Sequence, residues 1–296
     1  MDNMLDITGL TKRFKGFTLD KIDLQIPPGT IMGFIGPNGA GKTTTIKLIM
    51  NMLHADEGHI RVFGLDYRQS EKKIKNKIAY VGEEPAFYGD KTIDRMARYY
   101  ASFFSDWDIN TFQNCLTRFA LSRTKKVREL SKGQKIKFSL ALALSHHSDL
   151  AILDEPTAGL DPIIRRDILN ILSSLTDDEN KSVLISSHIT DDILRIADSI
   201  TFINEGRIVQ TGPKDDLLAD WKKIHYRKNT LSGNITSSLL CREDLAFGST
   251  GVTNRFRALR PELEDGLAAG DIKIENTNLD DILIALVKGD PSCGTS

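Results

Sequence analysis

The sequence predicts an α/β fold with parallel strands, and three observations predict it. Apolar runs lead directly into residues that carry chemistry: IMGFI into GPNGAGKT (Gly36 to Thr43), LAIL (150 to 153) into Asp154 and Glu155, and SVLISS (182 to 187) into His188. Such runs suit strands buried on both faces of a sheet. Helical periodicity separates the second run from the third, so the chain must cross over between strands that point the same way.

Taken in order, KIDLQI (21 to 26) alternates polar and apolar as a half-buried strand does, and PPG then turns the chain into the buried run beginning at Ile31. From Gly41 the stretch GKTTTIKLIMNML reads as a helix, GHIRVFG (from Gly58) as a strand and KIAYVG (from Lys77) as another. Residues 92 to 120 hold two amphipathic stretches, TIDRMARYYASFF and DINTFQNCLTRFA, split by SDWD, which predicts a helical subdomain inserted between strands. An edge hairpin is expected at TFINEGRIVQTG, with Glu205 and Gly206 in the turn. Beyond Gly212 and Pro213 the composition loosens toward Ser, Thr, Asn and Gly, which places a boundary near 215 to 225. The tail keeps strand-like DIKIE and helical LDDILIALVKG, as a small folded α+β appendage would.

Bulk properties restrict the function. The chain has 296 residues, enough for one large domain and a smaller one, and a formal net charge of −1, so no global field draws it to nucleic acid or an anionic membrane. Cys115, Cys241 and Cys293 are widely spaced and form no C-x-x-C pair, which suits a reducing cytoplasm. The amino terminus carries acidic residues where a secretory leader has basic ones. No apolar run approaches the roughly 18 to 20 residues of a membrane span, so any membrane role needs another chain to supply the spans. His146 and His147 are adjacent and read as a solvated helix end; the lysines at 72, 73, 75 and 77 read as a wet helix face.

GPNGAGKT fits G-x-x-x-x-G-K-[ST] between a strand and a helix, the context that gives the pattern meaning. Gly36, Gly39 and Gly41 let the backbone curl so that N–H groups converge, with Pro37, Asn38, Ala40 and Thr44 completing the loop. Lys42 would reach the outer phosphates of a nucleotide, and Thr43 would ligate magnesium. Asp154 would be the second magnesium anchor, and Glu155 the base that polarises the attacking water. LSKGQ (Leu130 to Gln134) precedes a helical pattern; Ser131 and Gln134 alone make a capping box, so a plain helix start also explains it. AGLD (Ala158 to Asp161) follows the acidic pair, and His188 closes the last apolar run.

With these motifs in this order from about residue 4 to 212, the sequence resembles the ATP-binding subunits of ABC transporters. The resemblance implies an ABC-type P-loop fold: a mixed core sheet, an antiparallel β subdomain and an inserted helical subdomain at about 90–146. Residues 1–215 would form the ATPase domain and 216–296 an accessory domain. It implies ATP and Mg2+ as ligands, Phe14 stacking on adenine, Ser131, Lys132, Gly133 and Gln134 meeting ATP held by a partner subunit, and Asp161 in the loop between them. Glu155 and His188 would be catalytic. The implied partners are a second copy or a similar ATPase subunit and an integral membrane permease, not nucleic acid, which would hold the chain at the inner face of the cell membrane.

The sequence departs from the family pattern at Lys132, where glycine is usual, and at Glu83, where glutamine is usual. The EEPAFY and FFSDWD segments resemble a bacterial subgroup that exports antibiotics or other amphiphiles. Tyr99, Tyr100, Phe103, Phe104 and Trp107 would supply a permease-docking groove or the subdomain core. A soluble ABC protein acting in sensing, translation or DNA repair is the competing expectation.

Overall fold

The computed structural model describes residues 3–288 except 84, 229, 246 and 247; Cys293 lies outside the described residues. The chain divides into two compact units, Met1–Ile208 and Val209–Ser296.

The first unit opens with strands β1 (Leu5–Phe14), β2 (Phe17–Ile26) and β3 (Ile31–Ile35), then helix α1 (Lys42–Ile49), β4 (Glu57–Val62), β5 (Leu65–Asp66), α2 (Tyr67–Asn76) and β6 (Ile78–Val81). Next come α3 (Ile93–Ala101), α4 (Ile109–Arg118), α5 (Lys132–Leu144), β7 (Leu150–Asp154), α6 (Pro162–Ser173), β8 (Ser182–Ser187), α7 (Thr190–Ile196), β9 (Ser199–Asn204) and the start of β10 (Arg207–Pro213), a strand that runs on past the division at Ile208. Strand β2 shows the alternating burial its sequence predicts, whereas β3, β7 and β8 are buried along their whole length. That difference separates two sheets. One is antiparallel in the order β2-β1-β4-β5; the other runs β10-β9-β3-β8-β7-β6. In the second, β3 pairs in parallel with β8 and β9, and β7 with β6 and β8.

Parallel pairing aligns the carboxyl ends of β3, β8, β7 and β6 side by side, where ligands collect in open α/β sheets. The register places Ile35 opposite Ser187, Asp154 opposite Ser186 and Val81 opposite Leu153. The segments leaving neighbouring strand ends are therefore brought together. The hairpin turn at Glu205 and Gly206 lies in left-handed backbone, and the Gly206 N–H donates to the Ala40 carbonyl, pinning the loop after β3.

Between β6 and β7 the three helices α3, α4 and α5 form the inserted subdomain. Asp108 caps α4 by accepting from Asn110 N, and Phe112, Phe138 and Leu116 are buried between the helices. His146 is buried, not solvated: its ring stacks on Phe104 at 4.0 Å and its Nε2 bonds the Ile78 carbonyl at 3.1 Å. The correction has a simple cause. The helix ends against the sheet, so its last turn packs where an isolated helix end would be wet.

In the second unit, α8 (Lys214–Asp220) leads to β11 (Lys222–Tyr226), α9 (Gly233–Ser238), β12 (Leu240–Leu245), β13 (Gly248–Thr253), α10 (Phe256–Ala269), β14 (Ile272–Asn276) and α11 (Leu279–Lys288). The strands form an antiparallel sheet in the order β12-β13-β11-β14. From β11 to β14 the chain follows the β-α-β-β-α-β pattern of the ferredoxin-like arrangement. Its core is Ile224, Ile235, Leu239, Leu263 and Ile272.

Candidate functional site

The loop after β3 curls because of three glycines that do different work. Gly41 has φ +114 and caps α1 without any side-chain bond, so the amide groups of the first turn of α1 have no acceptor within the helix. Gly39 has φ +80, and nothing lies within 4 Å of where a side chain would sit. Gly36 instead answers to crowding: a Cβ there would lie 2.3 Å from the Ile203 carbonyl oxygen. Its role is close approach to β9, a reason the motif alone does not disclose.

A cavity of about 610 Å³ opens over this loop, lined by Pro37, Asn38, Gly39, Gly41, Lys42, Thr43 and Thr44 together with Phe17, Glu83, Glu155 and His188. Four strand ends thus contribute to one space. Lys42 and Glu155 are each only 6 % exposed. The Lys42 ammonium donates to the carbonyls of Gly36 at 2.7 Å and Pro37 at 3.3 Å and lies 3.2 Å from Glu155 Oε1. That last approach is an ion pair without hydrogen-bond alignment, which leaves Oε1 buried and unbonded.

Glu155 Oε2 accepts from the His188 amide at 3.2 Å and faces His188 Nδ1 at 2.7 Å. A carboxylate only accepts, so Nδ1 carries the proton in this contact. Glu155 itself sits at φ +50, a left-handed conformation uncommon for a residue with a side chain, and it lines the cavity. Strained backbone of this kind persists where surroundings hold it, and Ser186 does so here: its Oγ accepts from Glu155 N at 3.0 Å and donates to Asp154 Oδ1 at 2.6 Å.

A second cavity, about 470 Å³, shares Thr43 and Glu83 with the first and adds Lys47, Tyr80, Phe87, Tyr100 and Asp154 among its walls. Burial, then the Asp154 charge, pushes the Tyr80 phenol up, and burial pushes that of Tyr100 up to about 12, so both stay neutral donors. Thr43 and Asp154 both line this cavity, presenting a hydroxyl and a carboxylate, the hard oxygen donors that magnesium prefers. The donor set therefore fits magnesium held jointly with phosphate oxygens. Among the described residues no group of three His, Cys, Asp or Glu side chains could hold a metal alone.

The remaining expected residues lie elsewhere. Ser131 caps α5 through a capping box, accepting from Gln134 N at 3.3 Å while Gln134 Oε1 accepts from Ser131 N at 3.2 Å. Gly133 lets α5 approach α6, since a Cβ would come within 2.9 Å of Ile164 Cγ2. Asp161 caps α6, accepting from Ile163 N and Ile164 N. Arg165 of α6 bonds the buried Asp192 of α7 at 2.5 Å, so the helix after Asp161 is tied to the helix after His188.

Phe14 is 42 % exposed and stacks on Phe17, with centroids 6.4 Å apart; Phe17 is the ring that lines the cavity. Sequence reasoning missed Phe17 and Ser186. The alternation of β2 and the paired serines closing β8 were the available signals.

Comparison with known proteins agrees with this geometry. Residues 19–158 match the family model described as ABC transporter. The chain is 30 % identical to the bacitracin transport ATP-binding protein BcrA of Bacillus licheniformis, across 98 % of this chain and 99 % of that one.

The chain belongs to the ATP-binding subunits of ABC transporters. It is also 31 % identical to the ABC transporter ATP-binding protein YtrB of Bacillus subtilis, across 77 % of this chain and 78 % of that one. A solved ATP-binding subunit of an ABC transporter superposes with a TM-score of 0.65 at 26 % identity, covering 73 % of this chain and 92 % of that chain. This ABC subunit binds ATP and couples its hydrolysis to transport.

Proposed function

We propose that this chain powers export of an amphiphilic compound through a separately encoded permease, working as a head-to-tail dimer in which each ATP lies between the phosphate loop of one subunit and the LSKGQ segment of the other. One observation carries the catalytic part: Lys42, Glu155 and His188 meet at the ends of adjacent strands, with Glu155 held between the other two. Lys42 and the free amides at the start of α1 bind the phosphates of ATP. Magnesium, held by Thr43 and Asp154 with phosphate oxygens, would neutralise charge there. Glu155 takes the proton of the attacking water, and His188 orients Glu155.

Export is supported by the likeness along the full chain, tail included, to the bacitracin transport subunit. Attachment through a permease is supported by two features. No helix among the described residues is long and apolar enough to cross a membrane. An apolar groove of about 610 Å³ on the helical subdomain, lined by Phe87, Tyr88, Tyr99, Tyr100, Phe103 and Phe104, offers a docking place, with Phe103 58 % exposed. Trp107 instead packs against Phe112. Affinity purification of the tagged chain from detergent-solubilised membranes should bring down a polytopic permease; recovery of ribosomes or DNA in its place would favour the soluble alternative.

A further inference from the structure

Among the described residues, two charges near the ATP site, those of Glu83 and Lys132, have no ion-pair partner. Around the two cavities stand three carboxylates, Glu83, Asp154 and Glu155, against two lysines, Lys42 and the exposed Lys47, which makes no ion pair among the described residues. Lys42 is taken by Glu155, and Asp154 by Ser186. Glu83 is exposed, lines both cavities and has neither hydrogen bond nor ion pair among the described residues. At the other motif the imbalance is reversed. Helix α5 has no acidic residue in its first turn, which instead carries Lys132 and Lys135, with Lys125 bonding Gln134 beside them. Cations there oppose the positive end of the helix, so the arrangement is unfavourable unless an anion faces it.

Lys132 is exposed and unpaired among the described residues. Its Nζ lies beside Gly159, 3.4 Å from where a Cβ would sit, on the face shared by the start of α5 and the loop ending at Asp161.

We propose that Lys132 forms an ion pair with Glu83 of the partner subunit, at the rim of each ATP site, when two copies close. The inference rests on the head-to-tail reading given above. The occupant is a second copy because both charges belong to one chain. A two-fold arrangement then closes with two identical pairs, residue i meeting j and j meeting i. Alone, a subunit leaves the Glu83 carboxylate at the phosphate cavity without an ion-pair partner among the described residues; the partner subunit's Lys132 supplies one only on docking. The pair therefore links nucleotide binding to dimer closure.

The test is a double-mutant cycle in the full chain carrying Glu155→Gln, with ATP-driven dimerisation in the presence of magnesium followed by analytical ultracentrifugation. Lys132→Gln should raise the ATP concentration for half-dimerisation about tenfold. The same substitution on top of Glu83→Gln should change it by no more than about twofold. An exchange of charges, Lys132→Glu with Glu83→Lys, should dimerise better than either single reversal, which separates pairing from misfolding. An equal loss in both backgrounds, as from a direct contact of Lys132 with phosphate, or no loss in either, overturns the pairing alone. Absence of any ATP-dependent dimer overturns the head-to-tail reading and the pairing together.

Discussion

At the scale of single residues, the site is a chain of charge contacts with Glu155 at its centre. Because Lys42 and Glu155 are both buried, removing one strands the other, and stranded buried charge is costly. Lys42→Ala should lose most ATP affinity, read by isothermal titration. It should also lower the stability of the nucleotide-free chain by about 2 kcal/mol, less than a full buried pair because His188 still bonds Glu155. That loss corresponds to a melting point several degrees lower and should disappear when Glu155→Gln is added. A melting point unmoved by Lys42→Ala would show the ion pair is not formed. Glu155→Gln by itself should keep ATP binding yet slow hydrolysis by about 10²- to 10⁴-fold, the span of a general base. Unaltered steady-state phosphate release would rule out that role.

At the scale of elements, His146 joins the end of α5 to β6 and, by stacking on Phe104, to the segment after α3. Burial lowers its pKa from the ordinary 6.5. The unfolded chain then binds the proton more readily than the folded one, so stability is intact above pH 6.5 and falls as pH drops toward the lower folded value. Melting points measured from neutral to mildly acidic pH should fall more steeply for the wild type than for His146→Gln, which retains a donor for the Ile78 carbonyl. Parallel curves would remove His146 from the acid limb. The same joint shows why the pair of histidines misleads as sequence: adjacency tells which faces they share, not which face the sheet covers.

For the whole molecule, the start of α5 carries a capped helix end, a cluster of lysines and no acid of its own in the first turn, while the loop of α1 offers free amides. Neither half makes a complete enclosure for a triphosphate, so hydrolysis per chain should rise with protein concentration at saturating ATP and level off once dimers dominate. Phosphate release strictly proportional to concentration across a wide dilution series would mean that single subunits turn over unaided. The tail folds around its own small core, so it is a second unit and not a loose extension.

The sequence by itself determined what is local. Buried runs at β3, β7 and β8, the alternation of β2, the glycines and lysine of the loop, the capping box and the hairpin turn are all written within a few neighbouring residues, where backbone sterics and side-chain periodicity act. Weakly patterned stretches such as GNITSS and GSTGVT did not disclose α9 and β13, because Ser, Thr and Gly hold little apolar periodicity and depend on packing for their conformation. Only the tertiary structure decided that Gly36 is small because of Ile203, that Phe17 and not Phe14 lines the cavity, that Ser186 braces both acids and that Glu155 lies between Lys42 and His188. These contacts join separate strands, and their existence follows from the parallel register of the sheet, which no local pattern encodes.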